Sequence, residues 1–163
     1  MTRSFESAAL AGVRVALEAA DQPEVIALIA ELDAYQTALY PPESHHGIDI
    51  DALAQPHVLF AVARHGDGAA AGCGAVVVGP DFGELKRMFV RPQGRGQGVG
   101  QALLSFLEGE ARAKGCRALL LETGVSQPEA LALYERSGYR RRGPFAQYWD
   151  DPLSVFMEKR LDP

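Results

Sequence analysis

The chain has 163 residues, 47% of them hydrophobic and 23% charged, a composition typical of a globular protein that is long enough to bury one core. Its net charge of −5 disfavours nucleic acid as the main partner, and no run reaches the roughly 18 consecutive apolar residues of a membrane span. Two cysteines, Cys73 and Cys116, indicate neither a disulfide scaffold nor a zinc site, and they favour a cytoplasmic location.

Hydrophobic periodicity predicts strands and helices in a mixed order, after a pattern-free stretch at residues 1–11 that we expect to be a loose terminus. The predicted strands lie at 13–17, 58–63, 74–78, 84–90, 117–123, 139–142 and 154–158. The predicted helices lie at 23–39, 99–114 and 128–137, with a helical turn at 50–53. This order predicts an α/β fold with a mixed central β-sheet flanked by helices, in a single domain over residues 1–163.

A glycine-rich turn joins the strand at 84–90 to the helix at 99–114. It reads Gln93-Gly94-Arg95-Gly96-Gln97-Gly98-Val99-Gly100 and contains no Ser, Thr, Asp or Asn to cap the helix. Because the first amides of a helix attract anions and Arg95 adds a positive charge, the turn predicts a phosphate or pyrophosphate site. A glycine-rich connection without a ligand is the alternative.

The glycine spacing excludes the two commonest nucleotide-binding loops. The dinucleotide pattern G-x-G-x-x-G fails because Gln101 stands where the third glycine should be. A P-loop fails because Gly100 is followed by Gln101 and Ala102 instead of Lys and Ser or Thr. A dinucleotide-binding domain remains a remote alternative, supported only by Glu122 near the expected place of a ribose-binding acid.

Two blocks resemble those of the GCN5-related N-acetyltransferase (GNAT) family. Arg95 to Gly100 reads R-x-x-G-x-G after a strand ending V-R-P, which resembles the family's acetyl-CoA motif. Gln127 to Tyr139 resembles the block N-P-x-A-x-x-L-Y-x-x-x-G-F, with Gln127 in place of the usual Asn and Tyr139 in place of Phe. The order of elements is also that of the family, so the resemblance covers nearly the whole chain and implies an acyl-CoA acyltransferase fold. The segment Asp151 to Lys159 is similar to the tail of a bacterial subset of the family.

The resemblance implies acetyl-CoA, or coenzyme A, as the cofactor. The backbone of Met88, Phe89 and Val90 would pair with its pantetheine arm as an added strand would. Gln127 stands where the family's Asn helps to anchor that arm. The amides of the loop would hold the pyrophosphate, and the loop residues concerned are Arg95, Gly96, Gln97, Gly98, Val99 and Gly100.

Acetyl transfer to an amine requires a base and an acid. A free alkylamine has a pKa of about 10.4 and must lose a proton before it attacks, while the departing thiolate benefits from a proton donor. The resemblance gives the acid role to Tyr134 and a water-relayed base role to Glu84. From the residues alone, Tyr134 could also be a packed helical tyrosine, and Glu84 a solvated residue beside a turn.

The acceptor is expected between the first helix, its following loop and the C-terminal strands. Candidate acceptor residues are Tyr35, Tyr40, His45, His46 and Tyr148, with Arg87 to hold a substrate carboxylate. Adjacent histidines on a polar loop more often face solvent than bind a ligand, and we expect no metal.

The sequence thus predicts an N-acetyltransferase that moves acetyl from acetyl-CoA to a primary amine of a small molecule or peptide, by direct attack in a ternary complex. The alternative is a non-catalytic acyl-CoA-binding sensor or interaction module of the same fold. The family resemblance suggests a homodimer, and we expect neither nucleic acid nor membrane as a partner.

Overall fold

The computed structural model describes residues 12–162, so the expectation for residues 1–11 lies outside the described part of the chain. The described strands form a seven-stranded sheet in the order β1-β2-β3-β4-β5-β7-β6. The strands are β1 Val13–Leu17, β2 Val58–His65, β3 Ala70–Val78, β4 Gly83–Val90, β5 Ala118–Gly124, β6 Arg140–Arg142 and β7 Ser154–Arg160. The α-helices are α1 Pro23–Leu39, α2 Ile50–Leu53, α3 Val99–Ala113 and α4 Pro128–Arg136, and short 3-10 helices lie at Pro42–Ser44 and Pro92–Gly94. The predicted mixed sheet flanked by helices is confirmed.

Three strands run further than their hydrophobic patterns predict. β2 continues to His65 and β3 begins at Ala70, because the two strands pair up to a tight turn in which the His65 amide donates to the Ala69 carbonyl. β7 continues to Arg160, where it still pairs with Ala118 of β5. Pairing with a neighbouring strand therefore sets these ends, beyond the point where side-chain alternation fades.

Helices cover the two faces of the sheet. On one face α3 buries Leu103, Leu104 and Leu107 against β-strand side chains such as Leu119 and Leu121. On the other face α1 contributes apolar side chains at helical spacing, namely Val25, Leu28, Ile29 and Leu32. Ile26 is 46% exposed, because it lies about 100° around the helix from the buried Val25. No helix within residues 12–162 has the length and apolarity that crossing a membrane requires.

The sheet opens at its centre, between β4 and β5. These two strands are parallel and pair at three positions only, from Gly83 opposite Leu119 to Leu85 opposite Leu121. The other neighbouring strands pair in antiparallel fashion. Beyond Leu85 the edge of β4 that faces β5 is unpaired. A bulge lies in the same part of β4: Gly74 of β3 faces two residues, Arg87 and Met88, and Arg87 has a left-handed backbone with φ of 58°. The result is a wedge-shaped gap lined by backbone.

Candidate active site

Two cavities meet in the gap between β4 and β5. The larger, of about 400 Å³, lies between the end of β4, the loop before α3, and α4. The smaller, of about 80 Å³, lies between β4, β5 and the segment that follows α1. Four residues line both cavities, namely Met88, Gln127, Ala130 and Tyr134. A ligand in the large cavity can therefore place a reactive group beside a second ligand in the small one.

The glycine-rich loop forms one wall of the large cavity. Gly96 and Gly98 have positive φ values of 76° and 82°, which glycine adopts at no steric cost, and Gly98 is the N-cap of α3. No side chain caps this helix, so its first amides stay available to an anion. The loop residues that line the cavity are Gly94, Arg95, Gly96, Gly98, Val99 and Gly100. Gln97 is outside this set, and its side-chain amide donates to the Gln93 carbonyl.

Arg95 stands at the rim of the large cavity. Its Nε donates to the Val90 carbonyl at 3.1 Å, which ties the loop to the end of β4. Its guanidinium lies 5.4 Å from the centre of the Tyr35 ring and 5.9 Å from that of Phe89, a cation–π arrangement. Tyr35 therefore lines the large cavity and not the small one, although we expected it among the acceptor residues. The cavity thus combines an exposed cation, free amides and apolar walls.

Tyr134 lies at the junction of the two cavities. α4 presents its side chain to both, and the residue is only 5% exposed. Its hydroxyl makes no hydrogen bond to any residue in the described range. Burial, and then the charge of Glu122, raise the pKa of Tyr134, so the phenol is protonated at neutral pH. A protonated, unpaired hydroxyl at this place is free to donate to a ligand.

Glu84 lines neither cavity, although it lies on β4 as expected. Its carboxylate accepts a hydrogen bond from the Tyr148 hydroxyl and lies 3.4 Å from the Lys86 ammonium. Lys86 in turn donates to the Tyr148 hydroxyl at 2.7 Å and to the His46 carbonyl at 2.6 Å. These contacts make Glu84 part of a network that holds the wall of the small cavity.

Glu122 is the carboxylate that lines the small cavity. It follows Leu121, the last β5 residue paired with β4, and so stands at the start of the gap. Its Oε2 accepts a hydrogen bond from the Ser154 hydroxyl at 2.7 Å. Burial raises the pKa of Glu122, although the Ser154 hydrogen bond and the nearby His46 and Lys86 act in the opposite direction. In the sequence, Glu122 is a lone acid after the apolar run Ala118–Leu121, and its only predicted role is that of a ribose ligand in the dinucleotide-binding alternative.

The expected acceptor residues separate into two groups. Tyr40, His46, Arg87 and Tyr148 line the small cavity, and the His46 and Tyr148 rings meet edge to face at 5.0 Å. His45 lies outside, with Nε2 at 3.0 Å from the Tyr40 carbonyl. Lys86 also lines the small cavity and was absent from the sequence-based set. Within residues 12–162, no group of three His, Cys, Asp or Glu side chains is arranged to hold a metal.

Tyr40 joins the end of α1 to the loop before α4. Its hydroxyl donates to Gln127 Oε1 at 3.2 Å and accepts from the Ser126 amide at 3.2 Å. Gln127 also accepts from the Gly124 amide at 3.4 Å through the same oxygen. These contacts fix Gln127 at the boundary of the two cavities.

Comparisons with known proteins identify relatives across most of the chain. Residues 25–139 match the model of the Acetyltransferase (GNAT) family. The IAA acetyltransferase of Azospirillum brasilense is 50% identical over 151 residues, which are 91% of this chain and 98% of that protein. A crystal structure from Klebsiella pneumoniae subsp. pneumoniae MGH 78578, provisionally assigned as an acyl-CoA N-acyltransferase, has a TM-score of 0.80 at 44% identity and covers 93% of this chain and 99% of its own. An aminoglycoside 6′-N-acetyltransferase solved with coenzyme A shares the fold, with a TM-score of 0.70 at 20% identity over 91% of this chain and 97% of its own.

Proposed function

The chain belongs to the acetyltransferase (GNAT) family, and we propose that it acetylates the primary amine of a small molecule by direct attack in a ternary complex with acetyl-CoA. N-acetyl transfer is the reaction of its family, and acetyl-CoA is the cosubstrate. A small-molecule amine as the acceptor is our proposal. It rests on one observation above all: a cavity of about 400 Å³ meets one of about 80 Å³ at the Tyr134 side chain. The small volume favours a small-molecule amine over a peptide.

The large cavity has the features that coenzyme A requires. The uncapped start of α3 and the amides of Gly96 to Gly100 suit a pyrophosphate, and Arg95 adds a positive charge at the rim. The free edge of β4 at Met88 to Val90 suits an extended amide-bearing arm, which can pair with it as a strand pairs with a sheet edge. Acetyl-CoA would supply a thioester, whose carbonyl is the group that the amine attacks.

We assign the acid to Tyr134. The departing sulfur needs a proton, and Tyr134 offers a protonated hydroxyl that has no partner among the described residues. Its place on the wall shared by both cavities puts this hydroxyl beside both ligands. The packed-tyrosine alternative does not account for the position of Tyr134, which lines both cavities and has a hydroxyl that is not sealed in the core.

We assign the base to Glu122 and withdraw that role from Glu84. Glu122 lines the small cavity, where the amine would bind, whereas Glu84 is held by Tyr148 and Lys86 outside it. A carboxylate with a raised pKa accepts a proton more readily than an ordinary one, and so it is better matched to an ammonium group. Glu122 would take that proton directly or through one water.

A thiol-release assay tests the proposal. The full chain is incubated with acetyl-CoA and a panel of amino acids, polyamines, aminoglycosides and peptides, and free coenzyme A is measured over time. We expect acceptor-dependent release with at least one small amine, and a mass increase of one acetyl group on that amine. Tight binding of acetyl-CoA with no release above hydrolysis for every acceptor would instead support a non-catalytic sensor.

A further inference from the structure

Arg87 is held in an unfavourable backbone conformation at the small cavity. Its φ of 58° places it in the left-handed region, which non-glycine residues seldom adopt and which is concentrated at functional sites. The bulge in β4 imposes this conformation, and the residue is only 8% exposed. A cation that is both buried and strained requires a specific interaction to hold it there.

The contacts of the guanidinium are incomplete. Nη2 donates to the Asp33 carboxylate of α1, whereas the buried Nε has no hydrogen-bond acceptor within the described part of the chain. Gly47 makes room for the group, because a Cβ on that residue would lie 2.1 Å from Nη1. Asp33 is 60% exposed, so water weakens its hold on the guanidinium. The donors left for a ligand in the small cavity are therefore those of Nη1 and the second hydrogen of Nη2, because the buried Nε is closed to it.

The charged residues that line the small cavity lie on two different strands, with the cations on β4 and the anion on β5. Lys86 is occupied, since it donates to the His46 carbonyl and the Tyr148 hydroxyl and lies near Glu84. Arg87 on β4 is then the cation with unused donors, and Glu122 on β5 is the anion of the opposite strand. A positive group on β4 and a negative group on β5 complement a molecule that has both an anionic group and an amine.

We propose that the acceptor is a short amino carboxylic acid whose carboxylate binds the Arg87 guanidinium while its amine lies toward Glu122. The planar fork of Arg matches a carboxylate, which accepts two of its N–H groups at once. A cavity of about 80 Å³ favours an acceptor of few atoms. This inference rests on the proposed function, and it gives the substrate class of that same site.

The test compares matched acceptors and three variants. Amino acids are assayed beside their carboxamides, which keep the size and the amine and remove the negative charge, and rates are expressed per unprotonated amine. Arg87→Gly removes the guanidinium and suits the positive φ, so it preserves the backbone of the bulge. Arg87→Lys keeps the charge without the fork, and Gly47→Ala crowds Nη1 while leaving Arg87 in the chain. Arg141→Gln, on an exposed arginine paired with Glu135, is the control.

We expect at least one amino acid to have a kcat/KM tenfold or more above its carboxamide. Arg87→Gly should remove this preference, chiefly through KM, with Arg87→Lys and Gly47→Ala intermediate and the control unchanged. Acetyl-CoA affinity should stay within twofold in every variant, which shows that the fold is retained. Equal rates for acids and carboxamides, or equal losses for both in Arg87→Gly, would overturn the inference while leaving the proposed function intact. Absence of transfer to every acceptor by the unmodified chain would overturn both.

Discussion

The hydroxyl oxygen of Tyr40 occupies the space that a side chain on residue 124 would need, since a Cβ on Gly124 would lie 1.7 Å from it. The same hydroxyl bonds to Gln127 and to the Ser126 amide. The absence of a side chain at position 124 therefore allows the end of α1 to close against the loop before α4. The wall of the small cavity depends on this fit.

Gly124→Ala should destabilise the chain by about 1 to 3 kcal/mol, the usual cost of overpacking, and should lower kcat/KM for the acceptor. Chemical denaturation measures the first effect and the thiol-release assay the second. In a Tyr40→Ala background the stability cost should nearly vanish, because the clashing ring is gone. Gly143→Ala, at an exposed glycine with no atom within 4 Å of the added Cβ, is the matched control. An equal cost with and without the Tyr40 ring would show that the two residues do not compete for space.

Tyr134→Phe should lower kcat by about 10²-fold or more, which is the usual contribution of a positioned acid. Its effect on stability should be small, because the hydroxyl has no partner among the described residues to lose. Tyr139→Phe is the control, since that hydroxyl bonds to Glu108 at 2.9 Å outside both cavities. The Tyr139 variant should lose stability and retain kcat. A Tyr134 variant with unchanged kcat would remove the acid role.

Glu122→Gln should abolish the acidic limb of the pH profile of kcat/KM. In the native chain, activity should fall as pH falls through the pKa of Glu122, which burial raises above its ordinary value of 4.5. A raised pKa also means that the folded state binds this proton more tightly than the unfolded state. The unfolding free energy should therefore fall, relative to the Gln variant, as pH rises from about the unfolded pKa through the folded one. A pH profile identical in both proteins would count against Glu122 as the base.

Glu84→Gln separates the two candidate bases. The substitution weakens the contacts with Lys86 and Tyr148, so we expect a modest change in acceptor KM and a much smaller loss of kcat than in Glu122→Gln. Steady-state kinetics of both variants with one acceptor at saturating acetyl-CoA provide the comparison. If Glu84→Gln shows the larger loss of kcat, the base belongs on β4 instead of β5.

Gly98→Asp should weaken acetyl-CoA binding by at least tenfold. It places a negative charge at the start of α3, and residue 98 has a φ of 82° that disfavours a side chain. Gly109→Asp adds the same charge to an exposed site about 16 Å further along the helix and should leave the affinity unchanged. Isothermal titration of both variants gives the affinities, and equal affinities would contradict the phosphate assignment to this loop.

The fold and the large cavity could be predicted because their signals are local. The α1 and α3 patterns repeat every three or four residues, and the loop from Arg95 to Gly100 is continuous in the sequence. Tyr134 was found through a block of neighbouring residues for the same reason. The predicted ends of strands were less accurate because pairing partners, which are distant in sequence, set them.

The small cavity was predicted only in part: Tyr40, His46, Arg87 and Tyr148 were expected there, but the roles of Glu122 and Lys86 depend on relationships between strands. Glu122 enters it only because β5 leaves β4 after Leu121, and no spacing in the sequence shows where two parallel strands part. The bulge that turns Arg87 inward is a property of the β3–β4 pair. Lys86 became part of the wall through contacts with His46 and Tyr148, which lie 40 and 62 residues away.

The gap between β4 and β5 divides the recognition of two molecules between two kinds of atom. In the large cavity the proposed contacts come mainly from main-chain amides, which every amino acid except proline provides. In the small cavity they come from the side chains of residues such as Arg87 and Glu122, which a single codon change can replace. Such a protein can exchange one acceptor for another during evolution while its donor site stays the same. The gap between β4 and β5 thus separates a cofactor site that tolerates changes of side chain from an acceptor site that changes with them.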